Sequence, residues 1–164
     1  MKLPIIYEGD ARLQTPSEPV EAITKKIQKL VLDMFETMYA AKGLGLAAVQ
    51  VGVNKRLFVA DLQRRGEKKH VLINPVIIER SGEQTTEEGC LSCPQLFGKV
   101  SRAMKVRVEA MGLDGKHVSL EAEGLLATVF QHETDHLDGI LFLDRLEPAE
   151  RARVERKRAE SHQM

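Results

Sequence analysis

A chain of 164 residues is the size of one ordinary domain and is long enough to bury a core. Hydrophobic residues make up 43% and charged residues 29%, and Lys+Arg and Asp+Glu stand at 24 each, so the overall charge argues for neither a nucleic-acid nor a membrane partner. The opening Met1-Lys2-Leu3-Pro4-Ile5-Ile6-Tyr7-Glu8 is too quickly charged for a signal peptide, and no stretch reaches transmembrane length. Two cysteines without a secretory signal favour a reducing compartment, the cytoplasm.

Residues up to about Pro19 read as an irregular arm. From about Glu21 the apolar residues Ile23, Ile27, Leu30, Val31, Met34 and Met38 fall at helical spacing, with Lys25, Lys26, Lys29 and Asp33 between them. This predicts an amphipathic helix that stops at Lys42-Gly43 and gives its Met and Ile stripe to the core. Gly43-Leu44-Gly45-Leu46-Ala47-Ala48-Val49-Gln50 follows and fits neither a dinucleotide fingerprint nor a P-loop. Small residues at this density point to a close approach to the backbone. Gln50 offers an amide donor, although on this stretch alone the plain reading is a tight connection with Gln50 exposed.

Residues 55–62 and 70–78 read as strands flanking a polar loop around Arg64-Arg65-Gly66-Glu67. Residues 104–111 alternate cleanly, Asp114-Gly115 signals a hairpin turn, and Val118, Leu120 and Ala122 resume the alternation. His70, His117 and His162 read as exposed loop histidines. Pro148-Ala149-Glu150 opens a C-terminal helix loaded with Arg151, Arg153, Arg156, Lys157 and Arg158, a solvated helix whose arginines pair with Glu147, Glu155 and Glu160. No repeat, low-complexity segment or linker divides the chain, so residues 1–164 read as a single domain.

The chemistry concentrates in Gln131-His132-Glu133-Thr134-Asp135-His136. Histidines four apart on a helix have Cβ atoms roughly 5–6 Å apart on one face, close enough for both rings to reach one metal ion. Glu133, on the flank of that face, is placed as a carboxylate general base. Gly124-Leu125-Leu126-Ala127-Thr128-Val129-Phe130 leads in with helix-compatible residues, and Leu137-Asp138-Gly139 supplies a stop. A catalytic metal site needs a third protein ligand and an open position. Glu87-Glu88-Gly89-Cys90-Leu91-Ser92-Cys93-Pro94, between the strands, offers Cys90, Cys93 and carboxylates. A closed structural site made from both cysteines and both histidines is equally compatible with this spacing.

Three blocks in one order resemble peptide deformylase: residues 43–50, then Glu88-Gly89-Cys90-Leu91-Ser92, then Gln131-His132-Glu133-Thr134-Asp135-His136-Leu137. The resemblance implies an α+β fold, with antiparallel strands packed around a central helix carrying the motif, plus an N-terminal and a C-terminal helix. It implies metal ligands at Cys90, His132 and His136, with Glu133 as general acid/base. The Gln50 side chain and the Leu91 backbone N–H fall on the oxyanion donors, and Gly45 on the position that bonds the formyl amide. The expected native metal is Fe(II), with Zn(II), Ni(II) or Co(II) accepted in the same site. The expected substrates are N-formylmethionyl nascent polypeptides, docked along residues 43–50 as an added strand, with Leu44 and Leu125 as candidates for the methionine pocket. The C-terminal basic helix, residues 148–164, is the expected ribosome-docking extension.

Three features depart from the family pattern. Cys93 stands where an aliphatic residue is usual and is expected to be a small buried hydrophobe; oxidation that joined it to Cys90 would expel the metal. Gln95-Leu96-Phe97-Gly98 replaces a stretch that carries a peptide-contacting arginine, which leaves substrate preference beyond formyl-Met undefined. Glu8-Gly9-Asp10 lacks a proline. The two competing readings are a zinc metallopeptidase, which would cut internal peptide bonds, and a non-catalytic metal-stabilised binding module, which would close a four-ligand site with Cys93.

Overall fold

Every residue of strand β2 (Leu57–Ala60) is buried, and its alternation divides the core in two. Leu57 and Val59 join the cluster under helix α1 (Lys25–Ala40), together with Met34, Met38, Leu46 and Ile73. Phe58 and Ala60 face the other way and join the cluster under helix α2 (Leu125–Leu137), where the Phe58 and Phe130 rings lie 5.8 Å apart. A strand covered on both faces needs an unbroken apolar run, and Leu-Phe-Val-Ala provides one. The computed structural model describes the backbone of residues 1–162 and the side chains of residues 1–160.

β2 sits inside a five-stranded antiparallel sheet of order β1-β2-β3-β6-β7, with β1 at Gly45–Ala47, β3 at His70–Ser81, β6 at Lys105–Met111 and β7 at His117–Glu123. β6 and β7 pair without interruption from Lys105↔Glu123 to Met111↔His117, as their alternation and the Asp114-Gly115 turn lead one to expect. β3 runs beyond the expected residue 78 and tolerates irregularities in its pairing with β6 between Ile73 and Val76 and between Ile77 and Glu79. At the first of these, Asn74 adopts φ 53° and ties down the arm, its side chain bonding both the N–H and the C=O of Val20 (2.8 and 2.9 Å).

Helix α1 starts at Lys25 rather than near Glu21, because the Thr24 hydroxyl accepts the Ile27 N–H and caps it there. It closes through a left-handed turn at Lys42 (φ 60°), with the Gly43 N–H donating to Met38 C=O at 2.9 Å. Gly43 therefore does not supply the left-handed residue; it is small because Leu91 Cδ1 would stand 2.8 Å from a Cβ there.

Residues 84–102 form a second, two-stranded sheet that the sequence pattern does not announce: β4 (Gln84–Cys90) and β5 (Cys93–Arg102), joined at Leu91-Ser92. Helix α3 (Pro148–His162) starts where expected and packs on β5. A Cβ on Gly98 would lie 2.7 Å from Leu146 and 3.3 Å from Val154, so the helix seats on bare strand backbone. Lys99 N–H donates to Glu150 (2.7 Å), and Arg153 to Phe97 C=O (3.2 Å). Its arginines pair with Glu150, Glu155, Asp144 and Glu8; among the described residues neither Glu147 nor Glu160 receives a bridge. The fold class is α+β, with antiparallel strands around a buried helix, and among the described residues no helix is long and apolar enough to cross a membrane.

Two histidine expectations can be compared with side chains. His117 is exposed and pairs with Glu109. His70 is partly buried instead, edge-on to Phe130 at 5.3 Å, and that burial lowers its pKa. Its place at the first residue of β3 turns it inward over α2. The side chain of His162 lies outside the described residues.

Candidate metal centre

From Ala127 to Leu137 every residue of α2 is buried. The histidines of the motif are therefore presented inside the protein, to the inner face of β4. One ligand atom each from Cys90, His132 and His136 lie within 4.8 Å of one another, and Cys90 Sγ is 3.3 Å from His136 Nε2. Cys93 is outside this group: it is 1% exposed and packed in the apolar core, the small buried hydrophobe expected of it.

The cluster is oriented by a charged network. His132 Nδ1 lies 2.9 Å from Glu88 Oε1, and a carboxylate partner puts the proton on Nδ1 and leaves Nε2 free. Arg102 clamps Glu88 with two bonds of 2.6 and 2.9 Å and reaches Asp135 at 2.8 Å, and Arg145 closes the chain on Asp135 at 2.9 Å. Burial alone would raise the Glu88 and Asp135 carboxyls; their partners, His132 and Arg102 for one and Arg145 and Arg102 for the other, hold both below the usual carboxylate range. Burial likewise opposes charge on His132, but its bonds to Cys90 and Glu88 carry it well above an ordinary imidazole. Cys90 is drawn well below an ordinary thiol, first by its hydrogen-bond partner Cys93, then by the two histidines against the cost of burial. The same contact, with burial, pushes the Cys93 thiol up.

A cavity of about 560 Å³ opens beside the cluster, and the candidate catalytic, metal and substrate residues all line it except His136, which lies behind at 0% exposure. Glu133 is 4% exposed, its Oε1 has no hydrogen-bond partner, and burial raises its pKa. Gly45 passes so close that a Cβ there would stand 2.8 Å from Glu133 Oε2. This is the close backbone approach that the density of small residues signals.

Gln50 is 1% exposed rather than exposed. The backbone tightens into a 3₁₀ turn at Ala48–Val51, ended by Gly52 at φ 80°, and folds the side chain inward. Its Oε1 accepts the Ala47 N–H (2.9 Å), which fixes the amide so that Nε2 faces Ser92 Oγ (3.1 Å) and Cys90 Sγ (3.5 Å). Leu91 sits at the hairpin tip against Gly43, and Leu44 and Leu125 form apolar parts of the wall.

The sequence reading missed the roles of Glu88 and Arg102 in orienting the cluster. Glu88 lies inside a motif block, but Arg102 has no local signal, only its place among the alternating residues of β5.

Among known proteins, the sequence profile described as Polypeptide deformylase matches residues 2–152. The chain belongs to the peptide deformylase family. It is 50% identical over 155 residues to a curated peptide deformylase of Neisseria gonorrhoeae, covering 94% of this chain and 93% of that one. Among solved structures, it superposes with a TM-score of 0.92 on a peptide deformylase from Legionella pneumophila, at 43% identity over 99% of this chain and 96% of that one. The deformylase from Thermus thermophilus gives a TM-score of 0.90 at 47% identity, over 96% and 94%. Members of this family are metal-dependent hydrolases that deformylate N-terminal formylmethionine, and among the described residues Cys90, His132 and His136 form a group that could hold a metal ion.

Proposed function

We propose that this chain removes the formyl group from N-formylmethionyl nascent polypeptides, with Cys90, His132 and His136 as ligands of a divalent metal. A soft thiolate beside two imidazoles suits Fe(II), the metal proposed here, and also Zn(II), Ni(II) or Co(II). The buried cluster fits such an ion: the Glu88 bond frees His132 Nε2, and Cys90 is held toward the thiolate. When bound, the ion supplies Lewis acidity and makes water a stronger acid.

The protein groups divide the remaining work. Glu133 takes the proton of the attacking water and delivers it to the amine nitrogen as the C–N bond of the formamide breaks. Burial raises its pKa, which favours a carboxyl that both accepts and returns a proton. The fixed Gln50 amide and the Leu91 backbone N–H face the oxygen on which charge develops. Gly45 leaves room for the formyl amide beside Glu133, and the outer edge of β1 is open for the peptide backbone to add as a strand. The observation that carries this reading is the unpartnered Glu133 oxygen beside the three-ligand cluster. A closed structural site has no use for it.

The test is formate release from a formyl-Met tripeptide by protein purified without oxygen and loaded with Fe(II). Release is expected, and Glu133→Ala should abolish it. Removing the donor in Gln50→Leu should slow it about 100–1000-fold. Cleavage of internal peptide bonds without formate would instead establish a general peptidase. Free Cys90 and Cys93 agree with a cytoplasmic setting. The exposed Arg156 and Lys157 on α3 are the proposed ribosome contacts, and Arg156→Glu with Lys157→Glu should abolish co-sedimentation with ribosomes at low salt. Undiminished co-sedimentation would remove ribosome docking from the reading.

A further inference from the structure

A second cysteine follows Cys90 by three residues, and hydrolysis of a formamide has no use for it. The fold sets the two against each other. Cys90 ends β4 and Cys93 begins β5, so they are paired across the hairpin with only Leu91 and Ser92 between them. Opposed residues of an antiparallel pair have Cα atoms about 4.5–5.5 Å apart, within the range of about 4.4–6.8 Å that a disulfide spans. Both thiols are free, and Cys93 is already a hydrogen-bond partner of Cys90. The pair is spaced for a disulfide as the backbone stands.

The two sulfurs differ in what else surrounds them. Cys90 lines the open cavity, and its Sγ lies 3.3 Å from His136 Nε2, 3.5 Å from Gln50 Nε2 and 3.4 Å from the Ser92 N–H. Cys93 is buried in the apolar core and stands outside the ligand group. A small oxidant that enters the cavity therefore meets Cys90 first, with Cys93 shielded beside it. An accessible sulfur next to a protected one is the layout of an oxidised cysteine and the thiol that resolves it. An aliphatic side chain would fill the place of Cys93, but only a thiol can react with Cys90.

Resting on Cys90 as a metal ligand, we propose that Cys93 is its resolving thiol, which turns oxidation of the centre by hydrogen peroxide into a reversible disulfide. The Cys90 sulfur attacks one peroxide oxygen. The O–O bond breaks, Cys90 becomes a sulfenic acid, and the second oxygen leaves as water with a proton from solvent. The Cys93 sulfur then attacks Cys90: the S–S bond forms, the S–O bond breaks, and the hydroxyl leaves with the Cys93 proton as a second water. The peroxide gains the two electrons that the two sulfurs lose. A disulfide sulfur offers no thiolate to a metal, so only His132 and His136 remain and the ion is released. A small thiol reopens the bond by exchange. Without Cys93 the sulfenic acid goes on to sulfinic and sulfonic acids, which a thiol does not reverse.

The experiment treats Zn(II)-loaded protein with hydrogen peroxide, zinc having no redox chemistry of its own. Intact mass reports the fate of the sulfurs, a chelating dye reports released zinc, and dithiothreitol with fresh zinc follows. The wild type should lose two hydrogens in mass, release its zinc in step with that loss, and recover both thiols and zinc after reduction. Cys93→Ala and the bulkier Cys93→Val should bind zinc normally beforehand, then gain oxygen at Cys90 and recover no zinc. Oxygen addition at Cys90 in the wild type without a disulfide, or recovery in either folded variant equal to the wild type, overturns the proposal. A disulfide that forms while zinc stays bound overturns it too, and removes Cys90 from the ligand set. Reversible zinc release by a protein that frees no formate from formyl-Met peptides supports the pair and sinks the deformylase reading alone.

Discussion

Two hairpins of this chain, β4–β5 and β6–β7, are built by different rules. β6–β7 is held by residues that any half-buried antiparallel pair would carry: Val106, Val108, Ala110 and Ala122 inward, charged residues outward, and a glycine turn at φ 82°. β4–β5 turns a carboxylate and an arginine inward, Glu88 and Arg102, and closes on Cys90 and Cys93 with an irregularity at Gly89/Cys90. The first hairpin is specified by pattern and the second by partners. A functional site on a strand therefore depends on side chains elsewhere in the chain, here Asp135 and His132 on α2, to make its own strand fold correctly.

The sharpest way to break this contrast is to remove the central partner. Arg102→Met should destabilise the protein by about 3–5 kcal/mol in urea unfolding, because Glu88 would be left buried without its guanidinium and Asp135 would keep only Arg145. Its metal affinity should also fall about 10–100-fold in a chelator competition, since His132 loses its support. In β6–β7, Gly115→Ala should cost about 1 kcal/mol through its left-handed backbone alone. Arg107→Ala, which frees only the exposed Glu79 and Glu121, should cost less than about 1 kcal/mol. An equal loss for the two arginines would erase the distinction.

Acid sharpens the same contrast. Glu88 and Asp135 are held below their ordinary range in the folded state, so the unfolded chain takes up their protons first as pH falls. Their contribution is present above the unfolded carboxylate values near pH 4 and is lost as pH drops through the folded ones. Unfolding midpoints followed from pH 6 to pH 3 should fall more steeply in the wild type than in Arg102→Met.

The same division decides what could be read from the sequence. α1, β2, β3 and β6–β7 were legible because apolar periodicity alone specifies them, and the clustering of Cys90, His132 and His136 beside Glu133 was signalled by their motif blocks. β4 was not, since Gln-Thr-Thr-Glu-Glu-Gly-Cys shows no apolar alternation: its inward positions are Gln84, Thr86 and Glu88, all satisfied or left open by α2. Read from its own stretch Gln50 is a surface amide, and only the family resemblance marked it as a site residue, because nothing local indicates that a 3₁₀ turn folds it inward onto Ser92. Arg102 looked like any charged strand residue. Long-range polar pairing leaves no period, and that is where sequence reading stopped.

Helix α3 grips the mouth of the site from outside. Val154 is seated on Gly98, Arg153 holds the Phe97 carbonyl, and Arg158 holds Glu8, whose N–H in turn bonds the Ser92 carbonyl at the hairpin tip. The helix is thus a handle fixed to the hairpin that carries Cys90 and Leu91. A load applied to its outer surface, by a partner as heavy as a ribosome or by a bulky fusion at the C-terminus, is transmitted to the rim of the cavity without any contact at Cys90, His132 or His136.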